Sequence, residues 1–261
     1  MPFDWYVYGL VALFGLAIGS FLNVLIYRLP REKNTVLGRS ACPHCGHTIP
    51  IHWNIPLVSY LILGGKCRWC RGSISRRYPA VEIITALLFM LFLYRDGLSV
   101  RLVVDWFLSA ALIAIFFIDW DFQIIPDKIT LPGIIIGLLA ALVVQPPGIV
   151  DALIGMVVGG GTLLVVAYAG QWLFKKEAMG GGDIKMAAMM GAFVGWQKIL
   201  LVFFGGALFG MAVSLVWMAV SPKVRRERVI PFGPFLAMAA IAVIIYGDTI
   251  IRYYIVNFLR V

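Results

Sequence analysis

Eight uninterrupted apolar runs dominate this chain: Trp5–Tyr27, Ala80–Tyr94, Leu98–Ile118, Ile129–Val144, Ile149–Phe174, Ile184–Trp196, Ile199–Val220 and Phe232–Leu259. Hydrocarbon offers no partner to a backbone N–H or C=O, so such runs fold as helices that pair their own backbone groups. A full crossing takes roughly 20 residues, and the second, fourth and sixth runs, at about 13 to 16 residues, predict tilted, shallow or partly re-entrant segments. A water-soluble globule is excluded by composition: 61% of the residues are apolar and 13% charged, against about 25% charged in soluble chains. The expectation is an all-α polytopic membrane protein of about eight transmembrane helices. No basic stretch precedes the first run and no small-residue cleavage site follows it, so that run is expected to be a retained helix.

The formal charge of +9 is explained by where the basic residues fall. If alternate connections face one side, the segments Arg28–Pro79, Asp119–Lys128, Lys175–Lys185 and Ser221–Ile230 hold 17 of the 22 Lys and Arg. The other side keeps Arg95, Arg101, Lys198, Arg252 and Arg260. Cytoplasmic connections carry the Lys/Arg excess. Those four segments are therefore expected in the cytoplasm, and no nucleic-acid partner is needed to account for the charge. Gly159-Gly160-Gly161 and Gly205-Gly206 lie inside runs and predict close helix packing. No internal repeat of useful period is apparent, and no oligomeric state follows from the sequence.

One polar stretch of real size, residues 28–79, interrupts the apolar pattern and contains all four cysteines. They form two knuckles, Cys42-Pro43-His44-Cys45 and Cys67-Arg68-Trp69-Cys70. Thiolates at a two-residue spacing converge on one tetrahedral ion, and two pairs close its shell. Disulfides are rare in the reducing cytoplasm, so the expected ligands of a structural Zn²⁺ are Cys42, Cys45, Cys67 and Cys70. A closed shell leaves no position for a reactive water. An insert of about 50 residues has little core of its own, and the metal is expected to hold it together. His44, His47 and His52 are read as loop or supporting residues rather than ligands.

Ionisable residues inside or at the edge of a span are costly and mark function by default. Asp119, Asp121 and Asp127 lie where the third run ends, and Asp183 follows Gly180-Gly181-Gly182 where the sixth begins. By parity of crossings both clusters face one side. Two carboxylates at one depth suit aspartic hydrolysis, in which one activates water while its protonated partner polarises the scissile carbonyl. The glycine run allows close backbone approach and puts Asp183 at a helix N-terminus. Spacing alone leaves its partner open among Asp119, Asp121 and Asp127.

Taken together, the residues resemble the bacterial prepilin peptidases of type IV pili and type II secretion. The resemblance rests on Gly19-Ser20-Phe21-Leu22-Asn23-Val24 running into Tyr27-Arg28-Leu29-Pro30, the paired knuckles, Arg77-Tyr78-Pro79 before Glu82, Ile125-Pro126-Asp127, and Gly181-Gly182-Asp183-Ile184-Lys185. It implies an intramembrane aspartic peptidase with Asp119 and Asp183 as the catalytic pair and Gly180, Gly181, Gly182, Lys185 and Asp127 in support. It implies a bacterial inner-membrane enzyme whose substrates are prepilins or pseudopilins. Each is cut after the Gly that ends a short basic leader and before a Phe. It further implies methylation of the new N-terminus by S-adenosylmethionine, with Asn23, Gly65, Lys66 and Glu82 nominated for the methyl-donor region. The implied division is a first helix at 1–27, the cytoplasmic zinc-binding, methyltransferase-associated insert at 28–79, and the peptidase helices at 80–261. Two other readings compete: an ion transporter or channel with a zinc-stabilised gate, and a non-enzymatic assembly scaffold.

Overall fold

The computed structural model describes residues 3–35, 38–175, 179–220 and 231–259. All regular structure among them is helical, apart from two isolated β-bridges. The helices are α1 (Trp5–Arg28), α2 (Val58–Ile62), α3 (Arg77–Asp96), α4 (Val100–Phe122), α5 (Asp127–Ala140), α6 (Ile149–Phe174), α7 (Gly181–Val194), α8 (Trp196–Val220) and α9 (Gly233–Tyr254). A π-helical turn, Ile255–Leu259, continues α9.

The expected eight spans become six. Six of these helices are long and apolar enough to cross a membrane. The second run, extended to Arg77–Asp96, is one of them, whereas α5 and α7 have 14 residues each. At 1.5 Å per residue such a helix reaches about 21 Å, short of a hydrocarbon core of about 30 Å. Their ends are set locally. Asp127 opens α5 after Pro126 in extended conformation, and α7 starts after Gly180 and stops at Gly195, whose φ of +81° ends the helix.

The chain divides into two units, Met1–Ala114 and Ile115–Val261, with the boundary inside α4. In the first, α1 lies directly on α3: a Cβ added at Gly15 or Gly19 would come within 2.6 Å of the Cα of Ala86 or Glu82. This is the small-residue contact that lets two helix backbones touch. Trp106 stacks on Phe89 at 4.7 Å and donates its indole N–H to the Phe89 carbonyl at 3.0 Å. At the far end of α3, the buried Asp105 carboxylate takes Arg95 and Arg101 as partners.

In the second unit α7 is the central helix, with Met186, Ala187, Met189, Met190 and the Gly191–Val194 turn all buried. Gly155 and Gly159 of α6 contact the carbonyls of Gly191 and Ala187, and Gly133 and Gly137 of α5 receive Met189 and Phe193. Gly205 and Gly206 of α8 lie against Ala239 and Leu236 of α9, so the packing expected of these two glycines is found. Gly159 and Gly160 likewise pack on α7, whereas Gly161 faces open space.

Although short, α5 and α7 run parallel to each other, and α6, between them in the chain, runs counter to α7. Asp127 and Lys185 join the N-terminal turns of α5 and α7, and the α9 start reaches the α4 end through Gly233 and Asp119. At the opposite end Gly195 meets Pro147 and Asp151, and Lys198 bonds Asp248 at 2.8 Å. Four helix ends therefore gather at the carboxylate pole of this unit.

Candidate active site and metal centre

Asp119 lies in the last turn of α4 and is 5% exposed. The helix stops just beyond it: Gln123 takes a φ of +54°, with its N–H bonded to the Asp119 carbonyl at 2.9 Å. Residues 124–126 then turn the chain into α5, and Ile125 becomes the wedge of the site. A Cβ at Gly182 would lie 2.8 Å from Ile125 Cβ. One at Gly233 would lie 3.2 Å from Ile125 Cδ1 and 2.5 Å from Asp119 Oδ2. Ile125 thus links the start of α7 to the start of α9, and only glycines fit on either side of it. The Gly233 amide is a hydrogen-bond partner of the Asp119 carboxylate.

Asp183 occupies the first turn of α7, its N–H bonded to the Gly180 carbonyl at 3.2 Å. Its Oδ1 is buried and has no hydrogen-bond partner among the described residues, and the Asp119 carboxylate bears on it electrostatically. Gly180 lies 3.5 Å, by its added Cβ, from Asp183 Oδ2, while Gly181 meets nothing within 4 Å. Of the three aspartates near the end of α4, Asp119 is buried, whereas Asp121 and Asp127 are exposed. Asp127 holds Lys185 in a bidentate pair at 2.7 and 2.8 Å, tying α5 to α7 beside the carboxylates. Gly233 and Ile125 are absent from the sequence-derived set. The signal for the first was Pro231-Phe232-Gly233-Pro234, a helix start with glycine at the first position.

The four cysteines come together. Their sulfur atoms all lie within 4.8 Å of one another, with Cys42 and Cys70 at 3.9 Å, and none is in a disulfide. A tetrahedral ion with metal–sulfur bonds of about 2.3 Å sets its ligands about 3.8 Å apart, so the cluster is dimensioned for a metal. The two knuckles are one hairpin used twice at a spacing of 25 residues. Cys42 N–H bonds the His47 carbonyl as Cys67 N–H bonds that of Gly72. Ile49 N–H returns to Ser40 as Ile74 N–H returns to Gly65. The bridges Ala41 with Thr48 and Lys66 with Ser73 match as well. This repeat corrects the expectation of none; its trace is Cys-x-x-Cys-x-x-(Thr/Ser)-Ile, too short to register as a period.

Backbone N–H groups of Cys70 and Trp69 aim at the Cys67 sulfur and bring its thiol down to about 6. Cys70 is exposed and receives the Gly72 amide, which acts downward, yet partial desolvation and the neighbouring sulfurs of Cys67, Cys45 and Cys42 together push it up to about 11. His47 stacks on Trp69 at 3.9 Å and the His44 ring lies against Gly72, so both pack the knuckles together.

Beside the knuckles a cavity of about 770 Å³ opens between α1, the insert and the start of α3. Asn23 and Glu82 line it; Gly65 and Lys66 do not. Gly65, at φ +69°, and Lys66 instead form the base of the second hairpin. Glu82 is 6% exposed and accepts the Leu57 N–H at 2.7 Å, an amide aimed by a left-handed φ of +60° at Leu57. Asn23 donates its Nδ2 to the Tyr78 carbonyl at 3.0 Å, and its Oδ1 is buried without a partner. Arg28 binds the carbonyls of Asn34, Gly38 and Arg39 and so anchors the start of the insert to α1.

Residues 13–95 match the family model of the bacterial peptidase A24 N-terminal domain, and residues 106–215 match that of the type IV leader peptidase family. The chain is 39% identical to the prepilin leader peptidase/N-methyltransferase of Aeromonas hydrophila, across 98% of this chain and 96% of the relative. The proteins of the same name from Pseudomonas aeruginosa and Legionella pneumophila are 38% and 34% identical, across 93% and 97% of this chain and 91% and 96% of theirs. No solved structure matches the chain.

Proposed function

The chain belongs to the type IV leader peptidase family, and from that premise we propose that it removes the basic leader of prepilins or pseudopilins and methylates the new N-terminus. The observation that carries the peptidase reading is the meeting of Asp119 and Asp183, from α4 and α7, at the pole of the second unit where the α4 end joins the starts of α5, α7 and α9. No comparable feature favours a transporter or a scaffold.

Asp119 and Asp183 are the catalytic pair. Two close carboxylates do not both ionise cheaply, so they hold one proton between them. The ionised member takes a proton from water as the water oxygen attacks the carbonyl carbon of the leader's terminal Gly. The protonated member gives its proton to the carbonyl oxygen; the first then passes the proton it took from water to the Phe nitrogen, and as the C–N bond breaks and the amine leaves, the second recovers its proton from the collapsing diol. Gly182 and Gly233 keep the approach to both carboxylates narrow through Ile125, and the Lys185–Asp127 pair fixes the start of α7. The 17-to-5 distribution of Lys and Arg supports a cytoplasmic location for this pole and for the insert, in an inner-membrane protein.

Cys42, Cys45, Cys67 and Cys70 hold a structural Zn²⁺ that closes the two hairpins on each other; sulfur spacing supports the fit. The cavity beside them, with its buried Asn23 oxygen awaiting a donor, suits S-adenosylmethionine. Bound there, the donor supplies an electrophilic methyl group. Asn23 and Glu82 bind and orient within the cavity, whereas Gly65 and Lys66 shape its neighbouring hairpin.

The test uses purified protein in detergent or lipid with a prepilin carrying a Gly-Phe junction, followed by product masses. Products beginning at Phe, lost with Asp119→Asn and with Asp183→Asn, and a gain of one methyl with S-adenosylmethionine are expected. Normal cleavage by either variant would overturn the pair.

A further inference from the structure

The cavity of the first unit has an unusual charge distribution. Arg28, Arg31, Lys33, Arg39, Arg68 and Arg77 line it, and Glu82 is its single carboxylate. Glu82 is nonetheless not neutralised by any of them: it forms no ion pair among the described residues, and its partners are the Leu57 N–H and the Ser20 hydroxyl. An ionised carboxylate accepts about four hydrogen bonds, so capacity remains. A buried charge without a counter-charge is held at a cost.

Asn23 repeats the pattern. Its Nδ2 is committed to the Tyr78 carbonyl, one turn before Glu82 on α3, and its Oδ1 is buried and unpartnered. Gly19, one turn before Asn23 on α1, touches the Glu82 Cα. Residues four apart share a helix face. The Asn23 oxygen and the Glu82 carboxylate therefore lie at adjacent levels of the α1–α3 seam, on the wall of one cavity. Two buried acceptors, one of them a carboxyl group that a bound cation would hold ionised, suit a ligand that is cationic and brings several N–H donors.

We infer that Glu82 and Asn23 form a seat for a primary ammonium group. A sulfonium centre has the charge but no N–H donor for Asn23, and a guanidinium or metal would need more acceptors than these two. This rests on the methyl-transfer reading, which offers two sources of such a group: the amino-acid end of the methyl donor, and the newly freed N-terminal amine. For the latter, the seat would hold the acceptor nitrogen at the cavity before methylation.

The experiment uses the full-length protein in detergent, with Glu82→Gln as variant and S-adenosylhomocysteine and 5′-methylthioadenosine as calorimetric probes. The second probe lacks the amino-acid end. Methylation kinetics with a Phe-first peptide complete the set. If the seat holds the donor's ammonium, the variant binds S-adenosylhomocysteine about 10- to 100-fold more weakly while 5′-methylthioadenosine is unaffected. If it holds the acceptor, S-adenosylhomocysteine binding is unchanged and KM for the peptide rises by a similar factor. Unchanged binding and kinetics would overturn the seat, as would an equal loss for both probes, which marks a merely structural role. Prepilin cleavage and metal content report folding. Should Glu82→Gln fail to fold, Asn23→Leu removes the second acceptor and carries the same pattern, with failure to reproduce it again overturning the seat. An unsubstituted protein that neither binds S-adenosylhomocysteine nor methylates would instead sink the methyl-transfer reading itself.

Discussion

Gly233→Ala is the sharpest probe of the carboxylate pole. The added Cβ arrives 2.5 Å from Asp119 Oδ2, 3.2 Å from its Cγ and 3.2 Å from Ile125 Cδ1. An ordinary carbon–oxygen contact is about 3.3 Å, so the carboxylate must retreat by about 0.8 Å. It cannot do so freely, because Asp119 is 5% exposed and Ile125 is wedged against Gly182. A misplacement of about 1 Å costs roughly 100-fold in rate, or about 2.7 kcal/mol of barrier. Overpacking costs about 1–3 kcal/mol of stability, and at the first position of α9 the helix-interior advantage of Ala over Gly offsets little of it. The expected result is a kcat/KM for prepilin cleavage lowered about 100-fold in a protein that still folds, with unfolding stability reduced by about 1–3 kcal/mol. Gly161→Ala, placed where nothing lies within 4 Å, is the control and should leave cleavage as it is. A folded Gly233→Ala protein cleaving within about twofold of the original would refute the reasoning, since Asp119 would then have room the structure denies it.

Two further outcomes are expected. Cys42→Ser should take metal content from one equivalent to nearly none by elemental analysis, because a three-thiolate site opens to water and the hairpins lose their shared ion; full occupancy would contradict a four-cysteine site. Lys185→Met removes an ion pair whose side chains are 41% and 52% exposed, so thermal unfolding should register no more than about 1 kcal/mol. A larger loss would mean that the pair is shielded from solvent and holds α5 on α7 far more firmly than an exposed bridge does.

How much of this was legible in the sequence differs from feature to feature. Apolar runs located all eight major helices, because hydrocarbon tolerates few alternatives to a helix. The count of eight full spans is not confirmed at α5 and α7, the runs already read as short, whose 14 residues each are bounded by Pro126 and by Gly180 and Gly195. The knuckles were readable because ligand spacing is local. That carboxylates stand at the helix ends was readable, but spacing could not separate the buried Asp119 from the exposed Asp121 and Asp127, since burial is decided by helices distant in sequence. Gly233 was visible only as a glycine at a helix start, because its contact with Asp119 comes from what α4 brings to it. Gly65 and Lys66, read beside Asn23 and Glu82 for their position at the insert border, form the base of the second hairpin, a placement that sequence proximity does not reveal.

The doubled hairpin of the insert has an evolutionary corollary. Each copy contributes two of the four clustered cysteines; if they hold the proposed metal, half a set binds almost nothing, and there is no graded path by which a lineage can erode the centre while keeping part of its benefit. Damage to either copy removes the selective value of the other. Such an element should be inherited whole or shed whole, together with the cavity wall it supports, leaving the peptidase helices to persist on their own.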